Sequence, residues 1–240
     1  MKSPELSIVI PCYNEAENIP LVLDKFKKAL DKFKFNNFEL ILVDNNSNDN
    51  TQQVLKEQLK KDIYSFARSV FQPKPGYGAA LIKGLKESRG EFIGWTHADL
   101  QTPPEDAIKA LGVIKKQKIP KKAFVKGKRY GRPIMDTLIN SVGMSIFETL
   151  VLGKFMFDIN AQPNIFHHSF LKELTNTPED FAFDLYVYYT AKKHGFKVSR
   201  FDVFFGKRVF GESAWNTGWK ARIKFIKRTI KFTFELKKKL

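Results

Sequence analysis

The chain has one cysteine in 240 residues, Cys12, which excludes an internal disulfide framework and fits a reducing compartment. Cys12 itself reads as a small buried hydrophobe. No apolar run reaches the roughly 18 residues that a membrane-crossing helix requires. The residues after Met1 run into a strand-like stretch too short for the apolar core of a secretion signal. The expectation is a cytoplasmic protein whose membrane contact is peripheral. Acidic residues are in deficit, 25 against 41 lysines and arginines, for a formal charge of +16. That balance calls for an anionic partner: nucleic acid, nucleotide phosphate or an acidic membrane surface. No helix-turn-helix, zinc-finger or RNA-recognition signature accompanies the charge, so no nucleic-acid partner is expected. Internal repeats, low-complexity tracts and long linkers are also missing.

What is present is a large apolar fraction, 43% hydrophobic and 14% aromatic, enough to bury the core of one large domain. Strand patterns rich in β-branched residues at 6–11, 38–43, within 63–71 and at 91–96 alternate with helical patterns at 19–30, 54–59, 79–87 and 105–116. Short connections between them argue for a mostly parallel sheet covered on both faces. A further strand is expected at 123–126, ending in the basic cluster Lys128-Arg129-Tyr130-Gly131-Arg132. An apolar half-buried or interfacial helix follows at 135–152, then an extended polar stretch at 157–166, a helix at 183–194 and a strand at 197–204. Residues 1–217 read as one α/β domain and 218–240 as a basic amphipathic helix. In that helix Trp219, Ile223, Ile226, Ile230 and Phe234 recur at three- and four-residue steps beside Lys220, Lys224, Lys227, Arg228 and Lys231. Such a helix either lies on an anionic bilayer or packs on the domain with a solvated basic face.

The chain is organised around Trp95-Thr96-His97-Ala98-Asp99-Leu100-Gln101. An apolar run stops there at groups able to hold a metal, and Pro103-Pro104 opens the next helical pattern. In an alternating α/β sheet this is the carboxyl end of a central strand, where ligands bind. Asp99 can bind a divalent cation and Gln101 can add a neutral oxygen; the competing use of Asp99 is to cap the helix that follows. Oxygen donors without zinc-like cysteine or histidine spacing favour Mg2+ or Mn2+. His97 can be a ligand, a donor to phosphate or a spacer. Earlier, Pro11-Cys12-Tyr13-Asn14-Glu15 presents a ring able to cover a base or ribose and a carboxylate able to accept from ribose hydroxyls. Asp44 closes the second strand and can accept a base N–H or form the turn that follows.

These pieces carry a resemblance. The run from Ile8 to Glu15, Val43-Asp44-Asn45-Asn46-Ser47 with Asp49-Asn50-Thr51, Gly76-Tyr77-Gly78, and Ala98-Asp99-Leu100-Gln101 with Pro104-Glu105 are similar to the ordered motifs of family 2 glycosyltransferases. Within them the dolichyl-phosphate mannosyltransferase-like group matches best. Gly127-Lys128-Arg129-Tyr130 and Arg208-Val209-Phe210-Gly211-Glu212-Ser213 extend the match over most of the chain. The resemblance implies a Rossmann-like GT-A fold and inverting transfer of a sugar from a UDP- or GDP-sugar. It implies that Pro11, Tyr13, Glu15 and Asp44 bind the nucleoside, with His97 beside the donor, and that Asp99 and Gln101 hold Mg2+ or Mn2+ on the diphosphate. Arg129 and Arg208 would bind phosphate through fixed donors that stay charged. The implied acceptor is a polyprenyl phosphate or a lipid-linked saccharide.

Three positions depart from that pattern. His97 stands where an acid is common, Asp44-Asn45 where paired acids are common, and Gln162-Pro163-Asn164 near a Gly-Phe-Arg-like element. A hydroxyl acceptor would need a general base, because an alcohol loses its proton as it attacks. Asp158 and Asp184 are the candidates, Asp184 among apolar neighbours expected to raise its pKa, with a helix-surface acid as its plainer use. A catalytically inactive relative is the alternative that His97 motivates. Loops around Arg129 and at 206–218 carry the glycines and basic residues of segments that close over a donor.

Overall fold

The computed structural model describes residues 3–132, 137, 142–210 and 219–238. Strands β1 (Leu6–Cys12), β2 (Phe38–Asp44), β3 (Ala67–Phe71), β4 (Phe92–Trp95), β5 (Ala123–Tyr130), β6 (Asn164–His167) and β7 (Lys197–Phe204) form one sheet in the order β3-β2-β1-β4-β6-β5-β7. β1 lies parallel to β2 and β4, β2 to β3, and β5 to β7. Only β6 runs against its neighbours, pairing Gly94 with Ile165 and Val125 with Ile165 from its two sides. The expected mostly parallel α/β sheet is the one that forms, and the polar stretch at 157–166 leads into its single antiparallel strand.

Successive side chains of a strand face opposite ways, so each strand feeds two cores. Leu6, Ile8 and Ile10 of β1 pack with Leu40 and Leu42 of β2 against helix α1 (Asn18–Phe33) and helix α4 (Glu105–Lys115). Val9, Ile41 and Val43 face the other way, toward helix α3 (Tyr77–Glu87) and helix α6 (Phe183–Lys193), where Trp95, Phe124 and Phe166 also sit. Fully burying one such side chain contributes about 1.5–3 kcal/mol, before the entropy of ordering it. Helix α2 (Thr51–Gln58) completes the β2–β3 connection. A smaller cluster, including Leu152, Met156, Tyr188 and Leu236, joins helix α5 (Met144–Leu152) and α6 to the C-terminal helix α7 (Trp219–Lys238).

Three expectations shift. The basic cluster Lys128-Arg129-Tyr130 belongs to β5 instead of following it, because β7 pairs with β5 from Ala123↔Lys197 through Tyr130↔Phe204. Of the helix expected at 135–152, residues 137 and 142–152 are described and helical, α5 being Met144–Leu152; residues 133–136 and 138–141 lie outside the described residues. In α7 the predicted apolar stripe is only partly covered, with Ile226 and Ile230 half-buried. Thr233 and Leu236 are buried, whereas Ile223 and Phe234 are exposed. No described helix is long and apolar enough to cross a membrane.

Candidate active site

The strands β1, β2 and β4 end on one edge of the sheet, and the loops that follow them are laced together. Asn14 and Asn46 both have left-handed backbones, which asparagine tolerates better than most residues. Asn14 N–H donates to Ser47 Oγ (3.1 Å), Asn48 N–H to Asn14 Oδ1 (3.0 Å) and Glu15 N–H to Thr51 Oγ1 (2.9 Å). These bonds hold Pro11, Tyr13 and Glu15 beside the end of β2. Tyr13 stands half exposed on that edge, available to a flat ligand. Asp44 is buried and its Oδ1 accepts from Ser47 N–H (3.0 Å), so it builds the turn; a base contact would fall to its other oxygen. Glu15 is the more unusual acid, its pKa raised chiefly by burial, with Asn18 and Arg208 opposing.

After β4, the Asp99 turn has the same construction with a harder strain. Leu100 has φ +56°, a conformation that a branched side chain rarely adopts and that clusters at functional sites. Asp99 is buried; its Oδ1 accepts from Gln101 N–H (3.2 Å) and its Oδ2 from Arg208 Nη2 (3.3 Å). The helix-cap use of Asp99 is overturned, because α4 starts after Pro104 with no side-chain cap. Gln101 brackets the residue two before Arg208: its Nε2 donates to Gly206 O (3.0 Å) while Gly206 N–H donates to Gln101 O (2.8 Å). This strap carries Arg208 to 3.6 Å from Glu15 and 3.3 Å from Asp99. Arg208 Nε is buried with no hydrogen-bond partner among the described residues, so toward them the cation retains donor capacity. Thus Glu15, the turn that carries Asp99 and Gln101, and Arg208 converge from three places in the sequence. Residues 211–218 of the expected closing loop lie outside the described residues.

The donor set fits a shared metal site. Among the described residues no group of three or more His, Cys, Asp or Glu could cage an ion alone. Mg2+ and Mn2+ are instead held through one or two protein oxygens plus phosphates and waters, which Asp99 and the side-chain carbonyl of Gln101 can supply. His97 makes a ring contact with Tyr77 (centroids 5.8 Å), which stacks on Phe181 (4.8 Å, 16°). The histidine extends an aromatic wall beside the Asp99 turn.

A second polar group lies under β5 and β6. Arg129 N–H donates to Asp158 Oδ2 (2.9 Å), and its Nε and Nη2 both donate to Oδ1, the former at 2.9 Å. Both side chains are less than a tenth exposed. Burial alone would raise the Asp158 pKa, but Arg129 more than reverses that and holds it below the usual range. This argues against Asp158 as a general base, since a carboxylate held in its charged form by the guanidinium on one oxygen and a backbone N–H on the other is a poor proton acceptor. Asp184, in the first turn of α6, is buried as expected, but among donors instead of apolar groups. Its Oδ1 accepts from Trp95 Nε1 (3.2 Å), Gln162 Nε2 (3.0 Å) and Asn164 Nδ2 (3.5 Å).

Lys126 escaped the sequence reading altogether. It is fully buried on β5, and its Nζ donates to Ile159 O (2.8 Å), Ala161 O (3.0 Å) and Asn164 Oδ1. Burial first, then Arg200, lowers its pKa to about 7, against Asp184 and Asp158. A lone lysine in an apolar strand gives no signal of this, since its acceptors lie more than 30 residues away. Gln162 and Asn164 were visible only as a departure from the family pattern.

With this geometry in place, comparison with known proteins is decisive. The model of the family described as "Glycosyl transferase family 2" matches residues 7–172, more than half of the chain. The chain belongs to glycosyl transferase family 2. The family match takes in β1 through β6 and with them every candidate up to Asp158, while Asp184 and Arg208 come from beyond it. A curated relative from Pseudomonas fluorescens (strain SBW25), named undecaprenyl-phosphate 4-deoxy-4-formamido-L-arabinose transferase, is 36% identical over 101 residues. That match takes in 42% of this chain and 29% of the relative, so the chain spans under a third of that protein. A solved glucosyl-3-phosphoglycerate synthase from Mycobacterium tuberculosis, in complex with Mn2+, UDP and glucosyl-3-phosphoglycerate, superposes with a TM-score of 0.68 at 16% identity. The superposition covers 98% of this chain and 80% of that one. A mannosyltransferase from Pyrobaculum calidifontis, in complex with GDP-Man and Mn2+, gives 0.62 at 19% identity, over 92% of this chain and 60% of that one. At these identities the structures establish the fold, which is GT-A.

Proposed function

We propose that this family 2 glycosyltransferase moves a sugar, with inversion, from a UDP- or GDP-sugar to a polyprenyl phosphate or lipid-linked acceptor. The observation that carries the reading is the convergence of Asp99, Gln101, Glu15 and Arg208 at the carboxyl edge of β1 and β4. Tyr13, Glu15 and Asp44 bind the nucleoside. Asp99 and Gln101 hold Mg2+ or Mn2+, which neutralises the diphosphate when bound. Arg208 donates to the phosphate oxygens on which charge grows as the glycosidic bond breaks. Arg129, fixed by Asp158, keeps N–H groups for an acceptor phosphate.

A phosphate acceptor is already ionised and needs no base. The structure favours it over a hydroxyl, since Asp158 is committed to Arg129 and one oxygen of Asp184 faces three donors. A lipid-linked acceptor places the protein peripherally at the cytoplasmic face of a membrane, with α7 toward anionic lipid. No nucleic-acid role is proposed.

The test is thermal unfolding with UDP and GDP, each with and without Mn2+. One nucleotide should raise Tm by about 5–10 °C at hundredfold excess over its Kd, and more with metal than without. Asp99→Asn should lose the metal-dependent part and transfer activity while keeping its Tm without ligand. Absence of any nucleoside diphosphate shift, or full activity in Asp99→Asn, overturns the assignment.

A further inference from the structure

Outside the site, the molecule leaves its two most exposed large apolar side chains five residues apart, at the end of α5 and just after it. Among the described residues, Leu150 at 77% and Phe155 at 68% are the two most exposed large hydrophobics. Ile146, one helical turn before Leu150, is 56% exposed on the same side of α5. The opposite side of α5 is occupied, since Ser145, Glu148 and Leu152 are buried. Gly153 ends the helix with a left-handed turn that swings Phe155 outward.

α7 continues this face. Phe147 of α5 meets Phe234 of α7 edge to face, with ring centroids 5.9 Å apart. Ile223, Lys227, Lys231 and Lys238 stand eleven, seven and three residues before Phe234 and four after it, so all fall on its side of the helix. The Ile223–Phe234 edge of the helix's apolar stripe is thus turned out of the core and flanked by lysines. On the domain side, Arg228 pairs with Asp180 (3.3 Å) and lies over Phe181, which fixes the orientation of α7.

We propose that α5, the turn to Phe155 and the Ile223–Phe234 edge of α7 form one docking face for an anionic phospholipid bilayer. The occupant follows from charge. A second copy would bring lysine stripes of two chains of net charge +16 together, which like-charge repulsion opposes. A bilayer bearing anionic headgroups takes the apolar side chains into its interface and attracts the lysines. The face also has a consequence for the site. Asp158 N–H donates to Ser145 Oγ on the inner side of α5 (3.1 Å), and Asp158 holds Arg129. Docking α5 on the membrane therefore sets the Arg129–Asp158 pair one helix away from the lipid surface. This deepens the peripheral placement proposed above and rests on it.

The experiment is sedimentation of the full chain with phosphatidylcholine vesicles, with and without about 30 mol% phosphatidylglycerol. The protein should bind the anionic vesicles and release them as salt rises. Leu150→Glu should weaken binding about tenfold or more. Lys227→Glu with Lys231→Glu should weaken it similarly, each basic residue near an anionic surface being worth about fivefold. Ile119→Glu, also well exposed at 63% but off this face, should bind as the parent does. Unchanged binding by both face variants overturns the inference. So does loss of a concentration-dependent dimer in Leu150→Glu without lipid, which would make the face a contact between copies. Because the assay contains no nucleotide or acceptor, the docking face can hold while the Tm test of donor binding fails, or the reverse.

Discussion

Glu148 is a buried carboxyl group on the inner side of α5. Its Oε2 has no hydrogen-bond partner among the described residues, and burial lifts its pKa from an ordinary 4.5 to about 8. The folded protein therefore holds a proton that the unfolded chain releases above its ordinary pKa, so this group's contribution to stability falls as pH rises from about 4.5 to 8. Glu148→Gln, which stays neutral, should abolish that loss and stabilise the protein at pH 8.5 by on the order of 3 kcal/mol. Urea midpoints at pH 5 and 8.5 measure it, and a parallel pH dependence in both proteins would refute it.

Lys126 has the opposite sign. Its pKa is depressed to about 7, so the unfolded chain binds the extra proton between about 7 and the ordinary 10.5, and stability from this group rises across that window. Its three acceptors hold the loop between Asp158 and Gln162. Lys126→Met removes the ammonium donor from Ile159 O and Asn164 Oδ1 and leaves Ala161 O only Asn164 Nδ2 (3.2 Å), and should cost about 2–4 kcal/mol in chemical denaturation. A change within 0.5 kcal/mol would mean that the loop is held by other contacts.

At the scale of elements, the antiparallel insertion of β6 depends on a close approach. A Cβ added to Gly94 of β4 would lie 2.1 Å from Asn164 O, so Gly94→Ala must push β6 away and with it the Asn164 amide that reaches Asp184. It should lower Tm by about 5 °C or more, read by circular dichroism; an unchanged Tm would show that the two strands can part without loss. The strand and helix periods were legible because β1, α1 and β2 bury nearly complete apolar faces. α7 was legible as a helix but not in its orientation. Its period predicts which residues share a side, and only Thr233, Leu236 and the Arg228–Asp180 pair decide which side the domain takes.

Across the whole molecule, charge separates by place. The carboxyl edge of the sheet collects Glu15, Asp44 and Asp99 around Arg208, while α7 carries lysines along its outer side. A formal +16 therefore describes a surface more than it describes the site. Salt should weaken vesicle binding more than binding of a nucleotide enclosed by these buried groups.

The local pattern of the chain was sufficient for the α/β alternation, the edge on which the loops gather and the family motifs at Tyr13, Glu15, Asp44 and Asp99. Each is set by neighbouring residues: strand periods by burial, turns by asparagine, aspartate and proline. The pairing of Arg129 with Asp158, the donors around Asp184, the burial of Lys126 and the docking of Gln101 on Gly206 were decided only by tertiary structure. Each joins residues 20 to more than 100 positions apart, and periodicity within one segment carries no information about which distant segment will satisfy a buried charge. The resemblance brought Arg129 forward and the need of a hydroxyl acceptor for a base brought Asp158, as separate candidates, and only tertiary structure put them in contact.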